Sequence, residues 1–144
     1  MVVNRANFQR MVETQPQLIT RLTQLLAERI WVVYRQLANT IMANPLGRLY
    51  DRLLLEMEKN RVQPGPGEPY TFDFGPKELI NMVGMSMEEG KSVLQRLFEN
   101  KKIKVVDNRI FTSDSEDIFK QTEYFKKMEK IQKSREEGSL KAQR

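Results

Sequence analysis

Residues 74–112 constrain the fold of this chain most strongly, because they carry the start, break and cap signals of two consecutive short helices. Pro76 suits the first position of a helix, since its φ is fixed and it has no N–H to leave unpaired. Gly84 supplies a break, and Ser86 can cap the second helix by accepting from the amides of its first turn. Apolar residues at helical spacing then give each helix an inward face, with Leu79, Ile80 and Val83 in the first and Val93, Leu94, Leu97 and Phe98 in the second.

Two β-branched runs follow these helices and indicate a hairpin. Ile103–Val106 and residues 110–112 flank the turn-forming sequence Asp-Asn-Arg at 107–109. Residues 70–74, upstream of the first helix, can supply a third strand. The order of these parts predicts a helix-turn-helix that carries a small β-wing, and the fold class is therefore mainly α.

Residues 17–43 contain neither glycine nor proline and predict one helix of roughly 40 Å. Two apolar stripes run along it. The first has the alternating four- and three-residue steps of a coiled-coil seam and consists of Ile19, Thr23, Leu26, Ile30, Val33, Leu37 and Thr40. The second lies beside it and consists of Leu18, Leu22, Leu25 and Val32. The seam predicts a parallel homodimer through Ile19, Leu26, Ile30, Val33 and Leu37. The alternative is a core helix in a monomer.

Punctuating residues divide the chain into three parts. Asn44 and Pro45 end the long helix and begin the next, so residues 1–43 form a short helix plus the dimerisation helix. Residues 44–113 form the winged domain, with a loop of composition QPGPGEP at 63–69. Residues 114–144 are a C-terminal helical extension, which begins at Ser115 and is expected to fray from Gly138 onward.

Composition excludes several kinds of chemistry. The chain has no cysteine and no histidine, so it offers neither a zinc site nor histidine-based catalysis. It also lacks a Gly-rich phosphate loop and a nucleophile-base set, which argues against an enzyme and predicts no cofactor, no metal and no catalytic residue. No apolar run reaches membrane length, and the start MVVNRANFQRM is not that of a signal peptide. We therefore expect a cytoplasmic protein without a membrane partner.

The order of parts over residues 4–113 resembles the carboxy-terminal half of the Crp/Fnr family of bacterial transcription regulators, relatives of the cyclic AMP receptor protein. The resemblance is carried by FQRMVETQPQLITRLTQLLAERI in the dimer helix, PLGRL at the start of the next helix and ELINMVGMSMEEGKSVLQRL in the helix-turn-helix. The family implies a cytoplasmic homodimer held by the long helix, with each winged helix reading half of a two-fold symmetric operator in double-stranded DNA.

The sequence departs from the family in the parts that bind an effector. The family's amino-terminal β-roll has no counterpart here, and the chain therefore looks like a fragment or a truncated form. The cyclic-AMP-binding members place a threonine-serine pair on the long helix, where this chain has Val33 and Tyr34. We expect no cyclic nucleotide to bind this chain.

The reading helix departs from the family as well. Where the cyclic-AMP-binding members present arginine, glutamate and a second arginine, this chain has Met87, Glu88 and Ser92. The winged region, residues 70–113, carries seven basic and six acidic residues, although the whole chain has a net charge of +5. Our candidate DNA-contacting residues are Lys77, Ser86, Met87, Glu88, Lys91, Ser92, Gln95 and Arg109.

Each of these candidates can also be an ordinary solvated side chain, and Ser86 can be a helix cap alone. Without the arginines that grip guanine, and with few phosphates neutralised, sequence selectivity should be weak. Two functions thus remain: a DNA-binding transcription regulator, or a protein-interaction or dimerisation module derived from one that no longer reads DNA.

Overall fold

Six helices and one small antiparallel sheet make up the secondary structure of residues 4–143, which are the residues that the computed structural model describes. About 70% of the chain is helical, and the prediction of a mainly α fold with a small β-wing is confirmed. In chain order the elements are α1 (Arg5–Thr14), α2 (Pro16–Thr40), α3 (Pro45–Lys59), β1 (Tyr70–Thr71), α4 (Pro76–Met82), α5 (Met87–Glu99), β2 (Ile103–Val106), β3 (Arg109–Thr112) and α6 (Ser115–Ala142).

The chain divides into two compact units, Met1–Arg35 and Gln36–Arg144. In the first, the Asn4 side chain caps α1 by accepting from the Asn7 N–H at 2.8 Å. Helix α1 has no buried residue, and neither has the part of α2 that lies in this unit. This unit therefore has no apolar core of its own among its described residues.

Helix α2 ends at Thr40, three residues earlier than the sequence predicts. Proline disfavours helical geometry at the residue before it, which is Asn44. The N–H of Ala43 donates to the Glu129 carboxylate of α6 instead of continuing the helix. The end of α2 is thus set by a side chain far away in the sequence.

The second unit has a single apolar core built around α3. Side chains of α3 pack in this core against residues of α4, α5, the sheet and α6. Its fully or nearly fully buried members include Leu49, Leu53, Met57, Leu79, Ile80, Val93, Leu94, Leu97, Ile103, Ile110 and Ile118. The inward faces predicted for α4 and α5 are buried as expected, except that Phe98 is only half-buried.

Helix α3 is buried on more sides than its sequence suggests. The stripe Leu46, Leu49, Leu53 and Met57 is the expected inward face, with Leu46 half-buried. Leu54 and Leu55 are buried too, and so is Asp51. The extra burial arises because α6 packs along α3, where the ring of Phe125 stacks on Tyr50 with centroids 5.9 Å apart.

The sheet has the strand order β1-β3-β2, with both pairs antiparallel. Val106 pairs with Arg109, so Asp107 and Asn108 alone form the turn, and both have positive φ, 50° and 61°. Two such residues match the backbone twist of a two-residue hairpin, and asparagine and aspartate tolerate this conformation. The predicted third strand is present, with hydrogen bonds that continue past β1 to the carbonyl of Phe74.

Helix α6 is longer than predicted. It runs to Ala142 and includes Gly138, from which the sequence predicted fraying, while Arg144 lies outside the described residues. A glycine costs a helix about 1 kcal/mol relative to alanine but does not end it when the flanking residues favour helix. Across residues 4–143, none of the helices is long and apolar enough to span a membrane.

Candidate nucleic-acid interface

The amino end of α5 is capped by Ser86. Its Oγ accepts from the Glu89 N–H at 3.2 Å, as the sequence predicts, and its φ and ψ of −65° and 156° are those of an extended residue before a helix. Gly84 has a φ of 71°, so the turn between α4 and α5 requires a left-handed residue that glycine adopts without strain. These two residues set where α5 begins.

Helix α5 approaches α4 closely at Gly90. A Cβ built on this glycine would lie 2.6 to 2.7 Å from three side-chain carbons of Ile80, closer than carbon atoms can approach. The sequence shows Gly90 only as a weak helix former. Its role in fixing the separation of the two helices depends on a tertiary contact and has no signal in the local sequence.

The outward side of α5 carries the predicted reading residues. Positions 87, 88, 91, 92 and 95 fall on one side of the helix, because i, i+4 and i+8 neighbours stack along it. All of them are exposed, and Met87 has 44% of its surface accessible. The structure therefore brings together Ser86, Met87, Glu88, Lys91, Ser92 and Gln95 along one exposed strip of a single helix.

Lys77 and Arg109 lie on other elements. Lys77 is the second residue of α4 and is exposed. Arg109 is the first residue of β3 instead of a tip residue, because the turn consists of Asp107 and Asn108. Its guanidinium lies 3.7 Å from Asp73, and both side chains are largely exposed. An exposed pair of this kind contributes little to stability, so the Arg109 side chain can exchange Asp73 for a phosphate.

The charges at the start of α5 oppose DNA binding in part. Glu88 and Glu89 occupy the first turn, where negative side chains stabilise a helix by interacting with its positive end. The same carboxylates lie where a helix amino end would otherwise receive a phosphate. This end of α5 therefore gains helix stability at the expense of phosphate attraction.

The carboxyl end of α5 is held by a polar network. Asn100 donates to the Tyr50 hydroxyl at 3.0 Å and to Asp117 of α6 at 2.6 Å, and burial raises the pKa of Tyr50. Next to it, Lys102 lies 2.8 Å from Asp114. This hydrogen bond raises the pKa of Lys102 and lowers that of Asp114. Helix α5 is thus capped at its amino end and joined to α3 and α6 at its carboxyl end.

The predicted dimer seam is exposed in the single chain. Leu26, Ile30, Val33 and Leu37 have 55%, 69%, 60% and 61% of their surface accessible, while Ile19 is half-buried. Leu18, Leu22 and Leu25 of the second stripe are exposed as well. Exposed apolar surface of this extent is typical of interaction surfaces.

Within residues 4–143, no three carboxylates cluster closely enough to hold a metal ion. The fold and the outward strip of α5 together define the class of protein: a winged helix-turn-helix protein with a long apolar helix before it and a helical extension after it.

No protein-family model and no curated protein matches the chain. Two similar solved structures are the c-di-GMP responsive global regulator CLP of Xanthomonas campestris and reduced CprK in the absence of any ligand. The first is 16% identical, with a TM-score of 0.49, over 76% of this chain and 55% of that one. The second is 17% identical, with a TM-score of 0.41, over 82% of this chain and 57% of that one.

Both solved structures are Crp/Fnr-family regulators, the family that the sequence motifs resemble. This chain matches a little over half the length of each. At this level of identity and structural overlap, the two structures are similar to this chain in fold alone.

Proposed function

We propose that this chain is a DNA-binding transcription regulator of the Crp/Fnr type that acts in the cytoplasm as a homodimer and inserts α5 into the major groove. The observation that carries the proposal is the outward strip of α5. A helix capped by Ser86, packed on α4 through Gly90 and held at Asn100 presents a continuous row of exposed side chains. This is the arrangement that a helix-turn-helix uses to read base edges.

Four side chains of the strip have a role at base edges in this proposal. Gln95 can form a bidentate pair with adenine, and Glu88 can accept from the amino group of cytosine. Ser92 can contact either a base edge or a phosphate, and Met87 can pack on a thymine methyl group. Outside the strip, Lys77 and Arg109 contact phosphates and set the position of the protein on the duplex.

The same geometry limits selectivity. Neither Met87 nor Ser92 can form the bidentate guanine contact that arginine makes, and each such contact is worth roughly 1–3 kcal/mol of discrimination. The winged region, with seven basic and six acidic residues, neutralises few phosphates. A dimer through α2 would compensate by presenting two copies of α5, which must lie about 34 Å apart to reach successive major grooves.

The proposal is tested by measuring duplex binding by fluorescence anisotropy at several salt concentrations. Changing Lys77, Lys91 and Arg109 to alanine should weaken binding to every duplex alike and flatten the salt dependence. A matched control removes the same charge from exposed lysines of α6, with Lys127, Lys130 and Lys133 changed to alanine. If the control weakens binding as much as the α4, α5 and wing variant, DNA does not contact this face.

Met87→Arg provides a test in the opposite direction. A guanidinium at the start of the strip should sharpen the preference for guanine-containing sites, because arginine pairs with O6 and N7 of guanine. Selection from a random duplex library, with and without the substitution, measures the change. Nanomolar and selective binding by the unmodified protein at physiological salt would show that another surface reads the sequence.

The protein-interaction module is the second candidate, and the two carboxylates at the amino end of α5 favour it. Glu88 and Glu89 would repel phosphates, while the apolar seam of α2 would still hold two chains together. A dimer that binds no duplex even at low salt would contradict the regulator and favour this second function.

A further inference from the structure

The junction between α2 and α3 spans only residues 41–44, and the middle of α6 lies against it. The N–H of Ala43 donates to the carboxylate of Glu129. Phe125 packs on Gly47 in the first turn of α3, where an added Cβ would lie 3.0 Å from the Phe125 Cβ and 3.2 Å from the terminal methyl of Met42. Residues of α6 thus contact both the junction and the start of α3.

A buried carboxylate extends this contact to the last turn of α2. Asp51 of α3 has 0% of its surface accessible. One of its oxygens accepts from Asn39 of α2 at 2.9 Å, and the other lies 3.7 Å from the ammonium group of Lys126 of α6. Asn39 also donates to the carbonyl of Arg48 at 2.9 Å. One polar cluster therefore joins α2, α3 and α6.

The contacts of this cluster form in only one orientation of the last turn of α2 relative to α3. A buried carboxylate requires hydrogen bonds or an opposite charge, because a charge without them is costly to hold out of water. Asn39 reaches Asp51 only if the last turn of α2 keeps its present direction relative to α3. Glu129 and Lys126 are three residues apart, so they act from the same side of α6.

We propose that the turn of α6 containing Phe125, Lys126 and Glu129 is a clamp that fixes the angle between the last turn of α2 (residues 36–40) and α3. The helical extension is then a conformational device and more than a cover for the core. Release of α6 removes these contacts, so the angle between residues 36–40 and α3 is no longer fixed. This inference does not depend on DNA binding.

The absence of cysteine from the chain allows a direct measurement of the angle. Thr40→Cys at the end of α2 and Glu99→Cys at the end of α5, both exposed positions, accept spin labels whose separation is read by pulsed electron resonance. Dilution with unlabelled protein restricts the signal to distances within one chain. Hydrogen exchange of the Ala43 amide in the full chain provides a second readout.

The clamp variant combines Lys126→Ala with Glu129→Ala. The matched control combines Lys133→Ala with Glu136→Ala, which changes the same residue types at the same spacing seven residues later, where both side chains are exposed. We expect the clamp variant to broaden the distance distribution and to speed exchange of the Ala43 amide at least about tenfold, an opening made easier by about 1.4 kcal/mol. The control should change neither.

A narrow, unshifted distance distribution in a folded clamp variant would overturn the proposal, and so would equal broadening in the control. Far-UV circular dichroism and the unfolding midpoint show whether the winged core is retained. If the double variant does not fold, Glu129→Ala alone decides, since it removes the contact with the Ala43 amide and leaves Lys126 beside the buried Asp51. That variant must still broaden the distribution for the clamp to stand.

Discussion

Gly90→Ala tests whether the close contact between α4 and α5 is required for the fold. In an open helix this substitution stabilises by about 1 kcal/mol. Here the new methyl would lie within 2.7 Å of Cγ1, Cγ2 and Cδ1 of Ile80, which has 1% of its surface accessible. Ile80 is β-branched and enclosed, so it cannot rotate away cheaply. Overpacking of a core costs roughly 1–3 kcal/mol, and the upper half of that range exceeds the helix gain.

We therefore expect Gly90→Ala to lower the free energy of unfolding by about 1 kcal/mol, measured by urea unfolding with circular dichroism at 222 nm. Gly138→Ala is the matched control, because that glycine lies in α6 with no atom within 4 Å of the added Cβ. The control should leave stability unchanged or raise it. If Gly90→Ala stabilises as Gly138→Ala does, the packing argument is refuted.

A double-mutant cycle tests the same contact by asking whether the effect of Gly90→Ala on stability changes sign when the Ile80 side chain is shortened. Ile80→Ala removes all three contacting carbons and by itself costs roughly 2–5 kcal/mol. In the Ile80→Ala background the methyl group added at position 90 no longer meets those three carbons, so Gly90→Ala should raise the free energy of unfolding. The coupling energy between the two positions is then about 2 kcal/mol, within the range measured for residues in direct contact. A coupling energy near zero would show that Gly90 and Ile80 do not share a packing constraint.

Three further predictions follow from the seam, the ion pair and the effector positions. Leu37→Asp should shift the mass measured by light scattering towards that of a monomer, whereas Gln24→Asp, which lies outside both stripes, should not. An unchanged dimer mass in Leu37→Asp would contradict a dimer formed through the seam. Lys102 holds the pKa of Asp114 below its usual 3.8, so this stabilisation is present above that pH and is lost as pH falls through the folded-state pKa. Asp114→Asn should therefore reduce the fall in urea midpoint as the pH drops below about 4, and an equal fall in both proteins would contradict this. Calorimetry with cyclic AMP should show no saturable binding, and micromolar binding would contradict this.

The winged domain could be predicted because its signals are local. Pro76, Gly84 and Ser86 mark helix starts and a break through backbone geometry that needs no tertiary contact. The hairpin likewise follows from β-branched runs around Asp107 and Asn108. These elements lie where the sequence places them, with boundaries shifted by one or two residues.

The features that the sequence missed depend on tertiary contacts, which are those of α6 in most cases and the contact of Gly90 with Ile80 in another. Asp51 reads as an exposed helical residue but is buried, where it accepts from Asn39 and lies 3.7 Å from Lys126. The end of α2 depends on Glu129, which is 86 residues away from Ala43 along the chain. The spacing of apolar residues in the sequence indicates which faces of a helix are apolar. It gives no indication that a polar face is buried beneath a helix from a distant part of the sequence.

The inner face of α5 packs against the core and contributes to stability, whereas its outer face carries the side chains proposed to contact bases. On the inner face, Gly90 sets how near α5 lies to α4, so a change there costs packing energy and moves the whole strip. On the outer face, Met87 is exposed and its neighbours in the strip make no core contact, so Met87→Arg alters the chemistry offered to a base without disturbing the core. Met87→Arg therefore tests the proposed DNA recognition without changing the Ser86 cap or the Gly90 contact. If Met87→Arg changes base preference while Gly90→Ala lowers stability, α5 is both the packed helix of the fold and the helix that reads DNA.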